Sequence, residues 1–126
     1  MTALAGIKVV DLSRVLAGPS CSQTLADLGA EVIKIERPNI GDETRHWAPP
    51  TFADGTSAYF ATVNRNKRSV TLDFTKPQGQ EILKALIKEA DVLVENFKVG
   101  NLAKYGLDYD SLKIINPQLI YASLTG

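Results

Sequence analysis

Short apolar runs, separated by polar stretches marked with Gly and Pro, set the rhythm of this chain. Residues 7–12 (IKVVDL), 30–36 (AEVIKIE), 91–95 (DVLVE) and 119–123 (LIYAS) are rich in Val, Ile and Leu. They read as buried parallel strands, because a strand covered on both faces carries a near-continuous apolar run. Residues 69–74 (SVTLDF) alternate instead, which predicts a further strand. Helical spacing fills the intervals. A loop and helix start at 14–20 lead to a helix ending near Leu28, with Pro19 in its first turn and Gly29 just past its end. Cys21, Leu25 and Leu28 form an apolar stripe on it and are assigned to the core. Residues 78–89 are the clearest helix: Ile82, Leu83, Leu86 and Ile87 share one side, while Gln80, Glu81, Lys84 and Lys88 face water. Asp73 or Thr75 is its expected cap, with Pro77 in the first turn. Two short helical pieces are expected near 101–105 and 109–115, the second ended by Asn116-Pro117.

Alternation of strands and helices predicts an α/β domain with a mainly parallel sheet and flanking helices. Residues 7–36 have the size of one strand–helix–strand unit. Residues 37–55 form a long loop holding Pro38, Gly41, Pro49, Pro50 and Gly55. Loops of that length in compact domains usually serve a purpose. Residues 56–63 suit a short helix with Tyr59, Phe60 and Val63 on one face. The sequence closes on the turn leaving a strand, where ligand loops begin in parallel α/β folds. The expectation is therefore an N-terminal fragment of a larger domain, spanning 1–126, with no second domain in this chain.

Composition narrows the chemistry. The chain has 126 residues, and 14 Lys plus Arg balance 14 Asp plus Glu. Zero net charge argues against nucleic acid as a partner, since a phosphate backbone is met by a basic face. Cys21 is the only cysteine and His46 the only histidine, so an internal disulfide, a thiolate zinc cluster and a His-pair mechanism are all excluded within the chain. No run approaches the roughly 18 apolar residues of a membrane span, and the opening MTALAGIKVVDL does not read as a secretory signal. A reducing, cytoplasmic setting is expected, with the mitochondrial matrix or peroxisome as the eukaryotic equivalents.

Several residues invite a chemical role. Glu36, at the end of the second strand, suggests a ribose contact, but the first turn reads DLSRVLAGPSC and lacks G-x-G-x-x-G. Arg14, Val15 and Leu16 stand where a pyrophosphate needs bare backbone, so a dinucleotide site is not supported. Arg37 is placed to pair with a phosphate or stack on a base. Arg65, Lys67 and Arg68 form a basic cluster that would suit a polyphosphorylated ligand, or be solvated surface. Asp11, Glu36, Asp73 and Glu95 lie near predicted strand ends, as catalysts or as caps. Trp47 either covers a pocket or anchors the long loop.

The segments LAGIKVVDLSRVLAGPSCSQTLADLGAEVIKIERP, GDETR, SAYFATVNRNKRSVTLD, ADVLVENFKVG and INPQLIYASLTG, in this order, resemble the class III coenzyme A transferases, the formyl-CoA transferase and carnitine CoA-transferase family. The resemblance implies a large Rossmann-like domain, two subunits threaded as an interlocked homodimer, and movement of coenzyme A from an acyl-CoA to a carboxylic acid acceptor. It implies no prosthetic group, with coenzyme A entering as substrate. It places an aspartyl nucleophile beyond residue 126, so this chain alone is not expected to catalyse transfer. By motif match, Arg14, Val15, Leu16 and Ala17 resemble the loop bordering the thioester and pantetheine region. Leu16 stands where formyl-CoA enzymes have glutamine, which argues against specificity for a tiny acyl group such as formyl, or for oxalate. Arg37 resembles a contact to the adenosine end and Leu72 a wall of the adenine pocket. Asn96 and Phe97 resemble residues near the pantetheine chain. Thr75 and Lys104 stand where the formyl type carries lysine and arginine. Two alternatives stay open: α-methylacyl-CoA racemase, which usually shortens the region 41–65, and a non-catalytic domain that binds coenzyme A or a protein partner.

Overall fold

A computed structural model describes residues 2–125. Five parallel strands form one sheet: β1 (Lys8–Asp11), β2 (Glu31–Glu36), β3 (Lys67–Thr71), β4 (Val92–Glu95) and β5 (Ile120–Ser123), in the spatial order β3-β2-β1-β4-β5. The helices are α1 (Ala17–Asp27), α2 (Ala58–Val63), α3 (Pro77–Lys88) and α4 (Tyr109–Ile115), with 3₁₀ turns at Glu43–His46 and Ala103–Tyr105. The α/β class, the parallel sheet and the sequence of elements all match the expectation.

The β3–α3–β4 connection passes over β2 and β1, so the helices divide between the faces. On one side Val10, Ile35 and Leu93 pack with Leu83 and Ile87 of α3 and Leu112 of α4. On the other, Val9, Val32 and Val94 pack with Ala26 of α1. Strand pleating explains the division, since successive side chains point to opposite faces. Asp11, Lys34 and Glu36 follow Val9 and Val32 by even steps and so share the α1 face. All three are buried.

That polar row corrects the reading of α1. Its inward face is Gly18, Pro19, Ser22, Gln23 and Ala26. Cys21 is exposed rather than core, and Leu28 is 46% exposed. Ser22 Oγ donates to Asp11, Gln23 Nε2 to the Thr62 carbonyl (3.0 Å), and Gln23 Oε1 accepts from Arg65 N (3.0 Å). An apolar stripe would leave these groups unpaired, at the cost of buried polar atoms without partners.

Three further expectations change. Ile82 is 53% exposed, and the buried side of α3 is Gly79, Leu83 and Ile87. Lys76 occupies the N-cap of α3 without a side-chain cap, while Asp73 closes a local turn by accepting from Thr75 N (3.0 Å) and Thr75 Oγ1 (2.6 Å). Strand β3 starts at Lys67 and ends at Thr71, earlier at both ends than its alternation suggested.

Gly79 fixes how closely α3 approaches the loop leaving β3, because a Cβ there would lie 1.9 Å from the Asp73 carbonyl oxygen. Alanine inside a helix ordinarily gains up to about 1 kcal/mol over glycine. Gly79→Ala is expected to reverse that sign and destabilise by about 1–3 kcal/mol, the range for overpacking. Urea unfolding measures it. A midpoint at or above that of the native sequence would contradict the close approach.

Candidate functional site

The carboxyl ends of β1, β2, β3 and β4 open onto one cleft of about 210 Å³. Parallel α/β sheets bind ligands outside these ends, where strand order reverses, and the reversal here lies between the neighbours β1 and β4. The apolar wall comes from Leu12, Leu72, Phe74, Phe97, Leu102 and Tyr105. Phe74 meets Phe97 and Tyr105 edge-on, with ring centroids 5.8 and 5.7 Å apart. Such edge-to-face pairs hold aromatic walls in fixed orientation. Arg14, Arg37 and Lys104 bring positive charge to the cleft.

Six of the ten expected ligand residues meet there: Arg14, Arg37, Leu72, Thr75, Phe97 and Lys104. Arg37 is exposed, with Nε donating to the Gly41 carbonyl at 3.3 Å. Asn96 is behind the wall. Its Oδ1 accepts from Arg14 N (2.9 Å) and its Nδ2 donates to Arg14 O (2.6 Å), which clamps the loop backbone on both sides. Val15, Leu16 and Ala17 do not line the cleft; Leu16 and Ala17 are exposed at the start of α1. Phe74, Asn101 and Tyr105 line it without having been singled out from sequence. Phe74 carried one usable signal, an aromatic residue at the carboxyl end of a predicted strand.

Buried charge holds the loops that shape this cleft. Lys34 and Asp42 pair at 2.9 Å with side chains 1% and 0% exposed. Lys34 Nζ also donates to the Ser13 carbonyl at 2.9 Å. Asp42 accepts from Thr44 N (3.0 Å) and Thr44 Oγ1 (2.8 Å). It also faces Val15 N at 3.3–3.4 Å. Val15 has φ +71°, a strained conformation for a β-branched residue. Burial pushes the Asp42 carboxyl up, but the Thr44 N–H and the Lys34 ammonium outweigh it, and the carboxyl lies below its ordinary range.

Glu36 is fastened in the same way. Arg45 Nε and Nη2 donate to its two oxygens at 2.7 Å each, Asp42 N donates at 2.8 Å, and Ser69 Oγ donates as well. The Arg45 guanidinium also lies 3.8 Å from the Phe60 ring centroid. Burial works against ionisation, yet Arg45, Ser69 and the Asp42 N–H together bring Glu36 down to about 2. Asp11 accepts from Ser13 N (2.8 Å), both serine hydroxyls nearby and Lys67 Nζ (3.2 Å). Burial pushes the Lys67 ammonium down, with Asp11 opposing. Glu95 accepts from Phe97 N at 2.8 Å. Each strand-tip acid is thus a fastener.

The basic cluster is engaged too. Arg65 pairs with Asp27 at 2.6 Å and Arg68 with Glu31, both on the surface, while Lys67 is buried against Asp11; none of the three lines the cleft. Trp47 anchors the long loop, meeting Tyr59 edge-on at 5.1 Å. Among the described residues, no group of three or more His, Cys, Asp or Glu is placed to hold a metal ion, and no helix is long and apolar enough to cross a membrane.

The sequence pattern of CoA-transferase family III matches residues 4–126. A succinate–glutarate CoA-transferase of Agrobacterium fabrum is 53% identical over 98% of this chain and 32% of its own length. The human succinyl-CoA:glutarate CoA-transferase is 50% identical over 98% of this chain and 28% of its own. A formyl-CoA:oxalate CoA-transferase of Afipia carboxidovorans is 48% identical over 98% and 29%. Among solved structures, a CAIB/BAIF family protein from Brucella suis superposes with a TM-score of 0.94 at 58% identity, over 99% of this chain and 34% of that one. A hypothetical protein from Mycobacterium tuberculosis gives 0.91 at 42% identity, over 100% and 34%. The chain spans about a third of the length of the relatives it matches.

Glu36 generates a pH prediction. Its folded value, about 2, lies below the ordinary 4.5. The stability it contributes is therefore full above pH 4.5 and lost as pH falls toward 2. A shift of that size corresponds to at most about 3 kcal/mol. Glu36→Gln is expected to be less stable at neutral pH and to lose stability less steeply across that acid window. Denaturant unfolding at stepped pH reads both. Parallel curves for the two proteins would refute the assignment.

Proposed function

The chain belongs to CoA-transferase family III, and on that premise we propose that the protein carrying it moves coenzyme A from an acyl-CoA donor to a carboxylic acid. The observation that carries this reading is the cleft at the strand tips, where an apolar and aromatic wall meets Arg37 and Lys104. Coenzyme A has a flat adenine that needs apolar cover and phosphates that need cations. Leu72 and Phe74 suit the base, and Arg37 and Lys104 suit the phosphates. Asn96 acts as a positioning residue through its clamp on Arg14.

In the proposed reaction a carboxylate outside this chain, an aspartate, attacks the thioester carbonyl and expels the coenzyme A thiolate. The thiolate then attacks the aspartyl carbonyl of the mixed anhydride, releasing the donor acid and leaving an aspartyl thioester. The acceptor carboxylate attacks that thioester, expelling the thiolate and forming a second mixed anhydride; the thiolate then attacks the acceptor's carbonyl, which releases the aspartate carboxylate and the new acyl-CoA. Covalent catalysis of this kind divides one difficult exchange into easier ones. Within this chain Asp11 and Glu36 are occupied by several hydrogen bonds each, which supports a nucleophile supplied from elsewhere. An interlocked homodimer and a cytoplasmic setting complete the proposal. The acids in the relatives' names, glutarate, succinate and oxalate, are the first acceptors to try.

The test is an assay of the full-length protein with a panel of acyl-CoA donors and acids, following each thioester by mass spectrometry. Transfer to at least one acid is expected. Exchange of the proton next to the thioester carbonyl with no movement of coenzyme A would replace this reading with the racemase alternative. In the same protein Arg37→Ala is expected to raise KM for the coenzyme A thioester by about tenfold, the loss of one charge-assisted contact. KM for the acceptor acid should change far less. Equal rises in the two would remove Arg37 from the adenosine end.

A further inference from the structure

We propose that Arg14 is the specificity-determining residue that receives the far carboxylate of a dicarboxylic substrate, with Glu43 holding its guanidinium ready. The proposal deepens the transferase reading and rests on it.

Arg14 is fixed at its backbone and only half satisfied at its side chain. Asn96 clamps its N–H and carbonyl at 2.9 and 2.6 Å. Its guanidinium carbon lies 4.7 Å from the centroid of the Phe97 ring, on the cleft wall. Nη1 stands 3.1 Å from Glu43 Oε1. That contact balances charge but is not aligned as a hydrogen bond: Arg14 Nε and Glu43 Oε1 are both buried without a hydrogen-bond partner among the described residues. A buried N–H left unmade is costly. A guanidinium presents its donors as a rigid fork that matches a carboxylate in two parallel bonds. The Arg14 side chain is 35% exposed while Nε itself is buried, so an incoming carboxylate meets the guanidinium through its terminal nitrogens.

The chemistry selects which anion. Glu43 beside the fork repels a dianionic phosphate more strongly than a singly charged carboxylate. Arg37 and Lys104 already bring other positive charge to the cleft for phosphates. A carboxylate locked in a fork is also poorly placed to act as nucleophile or to become an acyl group. The group bound at Arg14 is thus the spectator carboxylate of a diacid, whose other end reacts. Asn96 and Arg14 join the tips of β4 and β1, so the fork stands at the switch point of the sheet.

The experiment compares succinate with butyrate, which lacks the second carboxylate, as acceptors for the full-length protein with one acyl-CoA donor. The ratio of kcat/KM for the two acids cancels any effect on the donor. The native protein is expected to favour succinate. Arg14→Gln should cut the succinate-to-butyrate ratio by about ten- to a hundredfold, the range for a lost charge-assisted pair, and Arg14→Lys should restore part of it. Glu43→Gln should lower the ratio, because the carboxylate that holds the guanidinium in place is removed. If Arg14→Gln does not fold, the fall in ratio for Arg14→Lys decides the matter. An unchanged ratio in the Arg14 variants, at whatever absolute rate, would make Arg14 a structural residue and overturn the proposal. Equal loss for both acids, with a rise in KM for the coenzyme A thioester that disappears with its 3′-dephospho analogue, would reassign Arg14 to a phosphate. A native protein that transfers coenzyme A without preferring succinate would overturn this inference alone. A native protein that transfers to no acid would remove the transferase reading, and the inference with it.

Discussion

A lysine ammonium buried in the middle of a parallel sheet has to be neutralised where it stands, and Lys34 is neutralised by Asp42 at 2.9 Å. That requirement organises the mouth of the fold. Asp42 belongs to the loop leaving β2, and its carboxylate reaches Val15 N in the loop leaving β1, while Lys34 reaches the Ser13 carbonyl in that same loop. Two loops that share no backbone ladder are tied through one ion pair. Buried pairs of this kind add little net stability over a well-packed apolar pair, yet removing one partner costs about 3–5 kcal/mol. The contribution of Lys34 and Asp42 is therefore position: they hold Val15 in its strained conformation and present Arg14 to the cleft.

The two faces of the sheet divide the labour. On the α3 side, Val10, Ile35, Leu93, Leu83 and Ile87 form a close-packed apolar core that fixes the strands. On the α1 side, the row from Asp11 through Lys34 to Glu36 turns the strand tips into fastening points for Ser13, Ser22, Arg45, Lys67 and Ser69. Acids at strand tips often suggest catalysis, and here Asp11 and Glu36 are already engaged by several partners each. The proposed chemistry then falls to cations and aromatics on the cleft wall, with the reacting carboxylate drawn from outside the chain.

The alternation of elements was legible because four strands are apolar runs that local patterning detects, and α3 has a clean helical stripe. Boundaries slipped where charge intervened: β3 opens on Lys67 and Arg68, which look like loop until their partners are known. Those partners, Asp11 and Glu31, are 56 and 37 residues away in sequence. For the same reason the basic cluster looked free, and Cys21 and Leu28 looked as though they faced inward with Leu25, which alone of the three packs against the core. Nothing local says that the sheet offers α1 a polar face. The cleft was legible chiefly through family resemblance, which brought Arg14, Arg37, Leu72, Thr75, Phe97 and Lys104 to one place. Asn96 was recognised as near the site, but its part as a backbone clamp depends on a contact 82 residues apart.

Amide hydrogen exchange on the native chain and on Asp42→Ala measures the fastening directly. The Val15 and Thr44 amides should be protected in the native protein and exchange rapidly in the variant, while amides of β1 and β4 keep their protection. Val15 and Thr44 amides that already exchange in the native protein as fast as exposed loop amides would contradict the view that the buried pair holds the cleft.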